Sequence, residues 1–255
     1  LQAEAGYESR ILVPAEVREL EPAIGPDIVL GLATDYDHQL DAARLTRALW
    51  LAAEHAGVDA RPDAPAAGVV TADGAVRGVR LESGAVVDAD AVVVAAGAWS
   101  GRLDLPLPLP VRPVRGQIVV LRTPSPVLSR TTWGPHLYLV PRQDGRLVVG
   151  STMEEVGFAP RITAGAVARL LGLAARVVPE LAEAAVEGFR VGLRPAAEDG
   201  LPVIGPDPAV QRLFYATGHF RNGILLAPET AERIAAMVLD GAAPEPAFDP
   251  GRFAR

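Results

Sequence analysis

The sequence has no cysteine among its 255 residues. This absence excludes disulfide bonds, thiolate metal sites and a cysteine nucleophile. Runs of five or more like charges are also missing, and the formal net charge is -7. Such a chain has little electrostatic attraction to nucleic acid or to an anionic membrane. No stretch approaches the roughly 18 consecutive apolar residues of a membrane span. We therefore expect small-molecule partners, no nucleic acid or membrane partner, and a cytoplasmic location.

The apolar content of 49% is sufficient for a substantial core in one large or two small domains. Pro14 begins a predicted short helix that ends before Pro22. A longer helix is predicted over 41–56, with Asp41 as its N-cap and Gly57 as its terminator. Turn signals then divide three short apolar segments, which predicts an antiparallel meander; the segments are Val69–Val70, Val76–Leu81 and Ala85–Val87.

The apolar run Ala91–Ala96 shows no polar alternation, which is typical of a strand buried on both faces of a parallel sheet. Further along the chain, strands are predicted at Val111–Arg122, Leu137–Pro141, Arg146–Gly150, Val186–Arg194 and Phe214–Thr217. Helices are predicted at about 164–175, after Pro179, and from Asn222 to Leu239 with Gly241 as terminator. The proline-rich tail after Pro244 is expected to be loosely attached.

These patterns predict a mixed α/β fold whose two parts are interleaved in the sequence. The predicted boundaries are 1–104 together with 196–255 for one domain, and 105–195 for the other. The first domain has a parallel sheet with helices, and the second has an antiparallel sheet with helices.

Two glycine-containing turns follow predicted strands. Gly97 ends one strand, and ligands of doubly wound sheets lie at such carboxyl ends; the alternative is an ordinary glycine turn. The segment 218–223 joins a strand to a long helix, whose free N–H groups and partial positive charge suit a phosphate or an anionic ring. The alternative there is a simple helix start with Asn222 as the N-cap.

Three further side chains have weaker signals. Arg194 ends an apolar strand, and arginine can hold a carboxylate with two hydrogen bonds; the alternative is a surface residue or an internal ion pair. Tyr138 and Met153 are expected on the two strands of one hairpin, facing one pocket, with core packing as the alternative.

The four histidines lack metal-ligand spacing, and no catalytic triad or carboxylate pair stands out. We therefore assign no metal ligand and no catalytic acid or base.

Five strings in a fixed order resemble a known family. They are, in chain order, VVVAAGAWSG, VRPVRGQ, YLVPRQDGRLVVGSTME, GFRVGLRPAAEDGLPVIGP and FYATGHFRNGILLAPETA. The sequence resembles the FAD-dependent glycine oxidases of thiamine biosynthesis, within the D-amino acid oxidase and sarcosine oxidase superfamily. The resemblance implies an FAD-binding, Rossmann-like first domain and a substrate-binding second domain. It also implies non-covalent FAD, because the absence of cysteine argues against the branch with a cysteine-linked flavin.

The implied activity is the oxidation of glycine, or of small D- or N-methyl amino acids, by O₂ to an imino acid and H₂O₂. By resemblance, Arg194 binds the substrate carboxylate, Tyr138 donates a hydrogen bond to it, Met153 lines the pocket and Arg221 closes it. The residues implied to contact FAD are Ala66, Gly97, His219, Phe220, Arg221, Asn222, Gly223, Ile224 and Leu225. The resemblance further implies a homotetramer.

The sequence departs from the family pattern at its start. Residues 1–40 contain no strand followed by a Gly-x-Gly-x-x-Gly turn and a helix, so the FAD-binding domain is expected to be incomplete here, by on the order of 100 residues. Two alternatives to an oxidase therefore stay open. One is an amino-acid dehydrogenase that reduces a carrier instead of O₂. The other is an inactive, flavin-free remnant or one half of a split oxidase.

Overall fold

A computed structural model describes residue 6 and residues 8–254. Its strands are β1 (Ser9–Leu12), β2 (Gly31–Thr34), β3 (Ala66–Ala72), β4 (Ala75–Leu81), β5 (Val86–Asp88), β6 (Val92–Val94), β7 (Val111–Arg122), β8 (Thr132–Gly134), β9 (Leu137–Pro141), β10 (Arg146–Gly150), β11 (Ala185–Ala197), β12 (Val203–Pro206) and β13 (Leu213–Thr217). The α-helices are α1 (Pro14–Leu20), α2 (Ala42–His55), α3 (Ala164–Val177) and α4 (Gly223–Asp240). Short 3-10 helices cover Gly97–Arg102, Pro179–Glu183, Phe220–Asn222 and Pro250–Phe253.

The chain divides into two compact units. The antiparallel unit contains residues up to Asp41, 115–154 and 159–192, and the mixed unit contains 42–114, 155–158 and 193–255. The predicted boundaries placed 1–41 with 42–104, whereas the contacts place the described residues among them with the antiparallel sheet. The reason is that Ile24 is buried in the core of that sheet, and the carboxylate of Glu21 accepts hydrogen bonds from Ser129.

A five-stranded sheet with the order β11-β7-β10-β9-β8 provides the framework of the antiparallel unit. The β9–β10 hairpin pairs Tyr138 with Gly150. Helix α3 packs its buried stripe, Ala166, Leu170 and Ala174, on this sheet, and the spacing of four residues keeps the stripe on one helix face. The fully buried apolar members of the resulting core include Val119, Leu121, Leu139 and Val149.

The mixed unit contains two three-stranded sheets. One has the order β12-β13-β6, in which β6 runs parallel to β13 and Val94 pairs with Tyr215. The other is the β3-β4-β5 meander. Helix α4 packs Ile234 and Met237 against Ile204 and Phe214.

The prediction of mixed α/β structure is confirmed, and so are the predicted meander, the α1 and α2 boundaries, and Gly241, whose φ of 68° ends α4. Two details of the prediction were wrong. Val93 is 40% exposed, so β6 is covered on one face only. The tail is packed, because Pro250 is buried and the Phe248 carbonyl accepts a hydrogen bond from the Ile204 amide.

Candidate functional site

Gly97 and Gly218 lie side by side in the mixed unit. Val94 on β6 pairs with Tyr215 on the parallel strand β13. Gly97 follows Val94 by three residues, and Gly218 follows Tyr215 by three residues. Both adopt positive φ, 54° and 78°, which glycine does without steric cost. A Cβ added at Gly97 would have no atom within 4 Å, so its backbone borders open space. Bare backbone at the carboxyl ends of parallel strands suits the close approach of a ligand.

A buried hydroxyl pair fixes this turn. Thr217 donates a hydrogen bond to the Gly97 carbonyl at 3.0 Å and accepts one from Ser100, also at 3.0 Å. Both hydroxyl residues are almost completely buried, and each satisfies its polar atom through the other, which avoids the cost of an unpaired buried group. The pair was not predicted from the sequence, although the string VVVAAGAWSG contains Ser100.

The segment after Gly218 leads directly into α4. Phe220 has a φ of 49°, a left-handed conformation that costs a bulky residue about 1–2 kcal/mol, and backbone strain of this kind clusters at functional sites. Asn222 occupies the N-cap position, but its side chain accepts no capping hydrogen bond. The first turn of the 18-residue α4 therefore keeps the unpaired N–H groups and positive end that every helix start provides. Ile224 and Leu225 in that turn are exposed.

Burial lowers the pKa of His219. Its Nε2 atom lies 2.9 Å from the Thr230 hydroxyl, and the imidazole is half-buried. The ring is therefore neutral at pH 7, which leaves the positive end of α4 as the electrostatic contribution at this turn.

His219 should make the unfolding free energy depend on pH. The unfolded state binds a proton below about pH 6.5, whereas the folded state resists protonation down to its lowered pKa. The stabilisation of the folded state that arises from the lowered pKa of His219 is therefore fully present above about pH 6.5, and it is lost as the pH falls from about 6.5 toward the pKa in the folded state. Urea unfolding at pH 7 and pH 5.5 should show a smaller pH effect in His219→Gln than in wild type. The exposed His38 provides the control as His38→Gln; equal pH effects in wild type and His219→Gln would contradict the expectation.

Arg194 belongs to the same region of the mixed unit. It lies on β11, half-buried, two residues before Ala196, which forms an antiparallel bridge with His219. The unit therefore brings together Arg194, Gly97 and the start of the His219–Leu225 segment. Arg221 is exposed within that segment. Ala66 is exposed at the first position of β3, in the meander sheet, and no hydrogen-bonded ladder joins it to the others among the described strands.

Tyr138 lies half-buried on β9 of the antiparallel unit. Its ring and hydroxyl occupy the space that a Cβ at Gly150 would need. Its ring centroid is 5.4 Å from that of Trp133, at an interplanar angle of 60°. The Trp133 indole in turn donates a 2.6 Å hydrogen bond to Asp37. Tyr138 thus packs on Gly150 and against the hydrogen-bonded indole of Trp133. Neither Trp133 nor Asp37 was predicted from the sequence.

The Gly150→Ala variant should lose about 1–3 kcal/mol of unfolding free energy, because the new methyl group overlaps the Tyr138 ring and forces it to move. Urea unfolding measures the loss. Gly134 on β8 is the matched control, since a Cβ there meets only the Val177 side chain at 3.9 Å, and Gly134→Ala should be close to neutral. If Gly150→Ala is as stable as Gly134→Ala, the tyrosine does not occupy this position.

Met153 does not lie on the hairpin, contrary to the prediction. Strand β10 ends at Gly150, which is opposite Tyr138 near the start of β9, so Met153 lies beyond the last paired position of the β9–β10 hairpin. Met153 is 57% exposed. Past Gly150 the segment stays attached to β7, the other neighbour of β10, where Arg115 and Glu154 exchange both backbone hydrogen bonds.

A buried polar network makes that attachment. Glu154 accepts hydrogen bonds from Arg115 at 2.9 Å, Gln117 at 2.7 Å and Thr152 at 3.0 Å. The Arg115 guanidinium holds the pKa of Glu154 below its usual range. Arg115 is 4% exposed and Gln117 1% exposed. The string VRPVRGQ contains both, and the signal that could have revealed the network is an arginine and an amide directly before the apolar run 118–121 of β7.

The described part of the chain contains no group of three or more histidine or carboxylate residues suited to a metal ion. None of the helices within the described ranges is long and apolar enough to cross a membrane.

The family model that matches this sequence is described as FAD dependent oxidoreductase, and it covers residues 1–237. The chain belongs to this family. FAD is the cofactor of the family, and the observed geometry fits it: the open backbone at Gly97, the glycine at 218 and the start of α4 are suited to phosphate groups and an anionic ring.

Members of the family that resemble the chain include a bifunctional protein ThiO/ThiG and glycine oxidases. The ThiO/ThiG protein of Nostoc sp. is 39% identical over 233 residues, which are 90% of this chain and 35% of the relative. The glycine oxidase of Geobacillus kaustophilus is 36% identical over 89% of this chain and 61% of the relative. The crystal structure of a glycine oxidase from G. kaustophilus superposes with a TM-score of 0.90, covering 99% of this chain and 68% of the other. The chain thus spans about a third of the length of the first relative and three-fifths of the second.

Proposed function

We propose that the chain is part of an FAD-dependent amino-acid oxidase that converts glycine, O₂ and water to glyoxylate, ammonia and H₂O₂. The observation that carries the proposal is the pair of glycine turns at the carboxyl ends of β6 and β13, which meet the start of α4. The similarity to glycine oxidases supports glycine or a small D- or N-methyl amino acid as substrate. The similarity to a ThiO/ThiG protein supports a role in thiamine biosynthesis.

Within this proposal, the mixed unit is the FAD-binding part, and Gly97 with the segment His219–Leu225 would hold the cofactor through backbone groups. The positive end of α4 favours negative charge on the ring, and the neutral His219 adds no charge of its own to that field. Ala66 is proposed at the adenine end on resemblance alone. FAD supplies the two-electron acceptor chemistry when it is bound.

Substrate binding is assigned to four side chains. Arg194 would hold the carboxylate with two hydrogen bonds, which fixes both the position and the orientation of the amino acid. Tyr138, held by Gly150 and Trp133, would donate a third hydrogen bond to the carboxylate. Met153 would line the pocket and Arg221 would close it. No general base is assigned, since removal of a hydride from the substrate Cα requires none.

A visible absorption spectrum of the purified chain, with and without added FAD, tests the proposal. Bands at about 370 and 450 nm that stay with the protein through gel filtration, and that anaerobic glycine bleaches, would support it. A peroxide assay in air then separates an oxidase from a dehydrogenase, because the latter gives bleaching without H₂O₂. A protein that retains no flavin overturns the proposal for this chain.

The proposal includes a cytoplasmic location and a homotetramer, and sedimentation tests the latter.

A further inference from the structure

Met153 is the accessible one of two methionines. The chain has no cysteine and two methionines, so the thioethers are its main targets for oxidation by a peroxide. Met153 is 57% exposed, whereas Met237 on α4 is 5% exposed and packs in a core cluster. The difference in exposure makes Met237 an internal reference for the reactivity of Met153.

The exposure of Met153 is built into the fold. Its two neighbours are both fastened to β7: the Thr152 hydroxyl accepts a hydrogen bond from the Gln117 amide at 3.0 Å, and the Glu154 carboxylate pairs with Arg115. In an extended segment, alternate side chains point to opposite sides. Thr152 is 4% exposed, and its hydroxyl and the Glu154 carboxylate lie on one face of this ladder, so the Met153 side chain lies on the opposite face, where it is 57% exposed.

We propose that Met153 is an oxidation site, at which the hydrogen peroxide released by the proposed reaction converts the thioether to a sulfoxide. An S–O bond forms as the O–O bond of the peroxide breaks, the sulfur loses two electrons, and the second oxygen leaves as water. The proposal rests on the proposed function as the source of the peroxide. The modification replaces a flexible apolar side chain with a polar one three residues beyond Gly150, the partner of Tyr138, and so weakens substrate binding as product accumulates.

Oxidation by added peroxide tests the site without any need for turnover. The purified chain is treated with H₂O₂, digested, and analysed by peptide mass spectrometry for sulfoxide at each methionine. Met153 should be oxidised on the order of tenfold faster than Met237, because Met237 reacts only after local opening of the structure. Equal rates, or faster reaction of Met237, would overturn the proposal.

Turnover then tests the consequence. With glycine in air, Met153 sulfoxide should accumulate and the rate should fall relative to its own starting value, and catalase should prevent both. Whatever rate Met153→Leu has at the start, that rate should not fall during turnover, whereas the rate of Met237→Leu should decline as that of the wild type does. A decline in Met153→Leu equal to that of the wild type overturns the assigned consequence. If glycine yields no peroxide, the proposed function fails, and the result with added peroxide still decides whether Met153 is the reactive site.

Discussion

The Arg194→Ala variant is expected to raise the KM for glycine by about two orders of magnitude, equivalent to about 3 kcal/mol of lost binding free energy. Arginine holds a carboxylate by two charge-assisted hydrogen bonds, and alanine provides neither. The bridge between Ala196 and His219 keeps this end of β11 at the turn assigned to FAD, where the substrate must lie to react. Steady-state kinetics over a range of glycine concentrations measure the change.

Two variants make the result specific. Arg190 lies on the same strand, four residues earlier, and is exposed; Arg190→Ala should leave KM close to the wild-type value. Arg194→Lys keeps the positive charge but loses the planar, two-pronged donor, so it should recover only part of the affinity. An Arg194→Ala protein with the wild-type KM for glycine would remove Arg194 from the substrate site.

The Glu154→Ala variant is expected to lose about 3 kcal/mol of unfolding free energy, because it leaves the guanidinium of Arg115 buried without its carboxylate. The value lies at the lower end for broken buried pairs, since the Glu154 side chain is 27% exposed. Gln117 and Thr152 lose an acceptor at the same time. Urea unfolding monitored by tryptophan fluorescence measures the loss.

Glu155 provides the matched control for this loss. The adjacent carboxylate forms a 3.0 Å ion pair with Arg112, but both side chains are about half-exposed or more. Exposed pairs contribute about 1 kcal/mol or less, so Glu155→Ala should be nearly neutral. Equal losses in the two variants would show that the buried network contributes no more than a surface ion pair.

Local sequence signals were reliable where one short segment decides the structure. Pro14 begins α1, Gly57 and Gly241 follow the ends of α2 and α4, and the turns of the β3-β4-β5 meander are marked by Asp73-Gly74 and Ser83-Gly84. These residues act through their own φ preferences or through the missing N–H of proline. No distant partner is needed for such effects.

Signals that depend on the surroundings of a segment failed. The apolar run Ala91–Ala96 indicated burial on both faces, but Val93 is exposed, because burial depends on what packs against a strand and not on the strand. Met153 was assigned to the β9–β10 hairpin, but the pairing with β9 ends at Gly150, and the next residues are held by β7 alone, where Glu154 bonds to Arg115, 39 residues earlier in the sequence. Contacts across such distances leave no periodic pattern in the sequence.

The sequence by itself determined the family, through five strings in a fixed order, and with it FAD, the candidate residues and the mixed α/β composition. It also determined which groups suit the chemistry, because an arginine and a tyrosine can donate hydrogen bonds to a carboxylate and bare glycine backbone permits the close approach of a ligand. Tertiary structure alone decided that Gly97 and Gly218 lie side by side, that Ser100 and Thr217 fix their turn, and that Gly150 and Trp133 hold Tyr138. Those arrangements arise from strand register and close packing between segments far apart in the chain, and neither is encoded within any single segment.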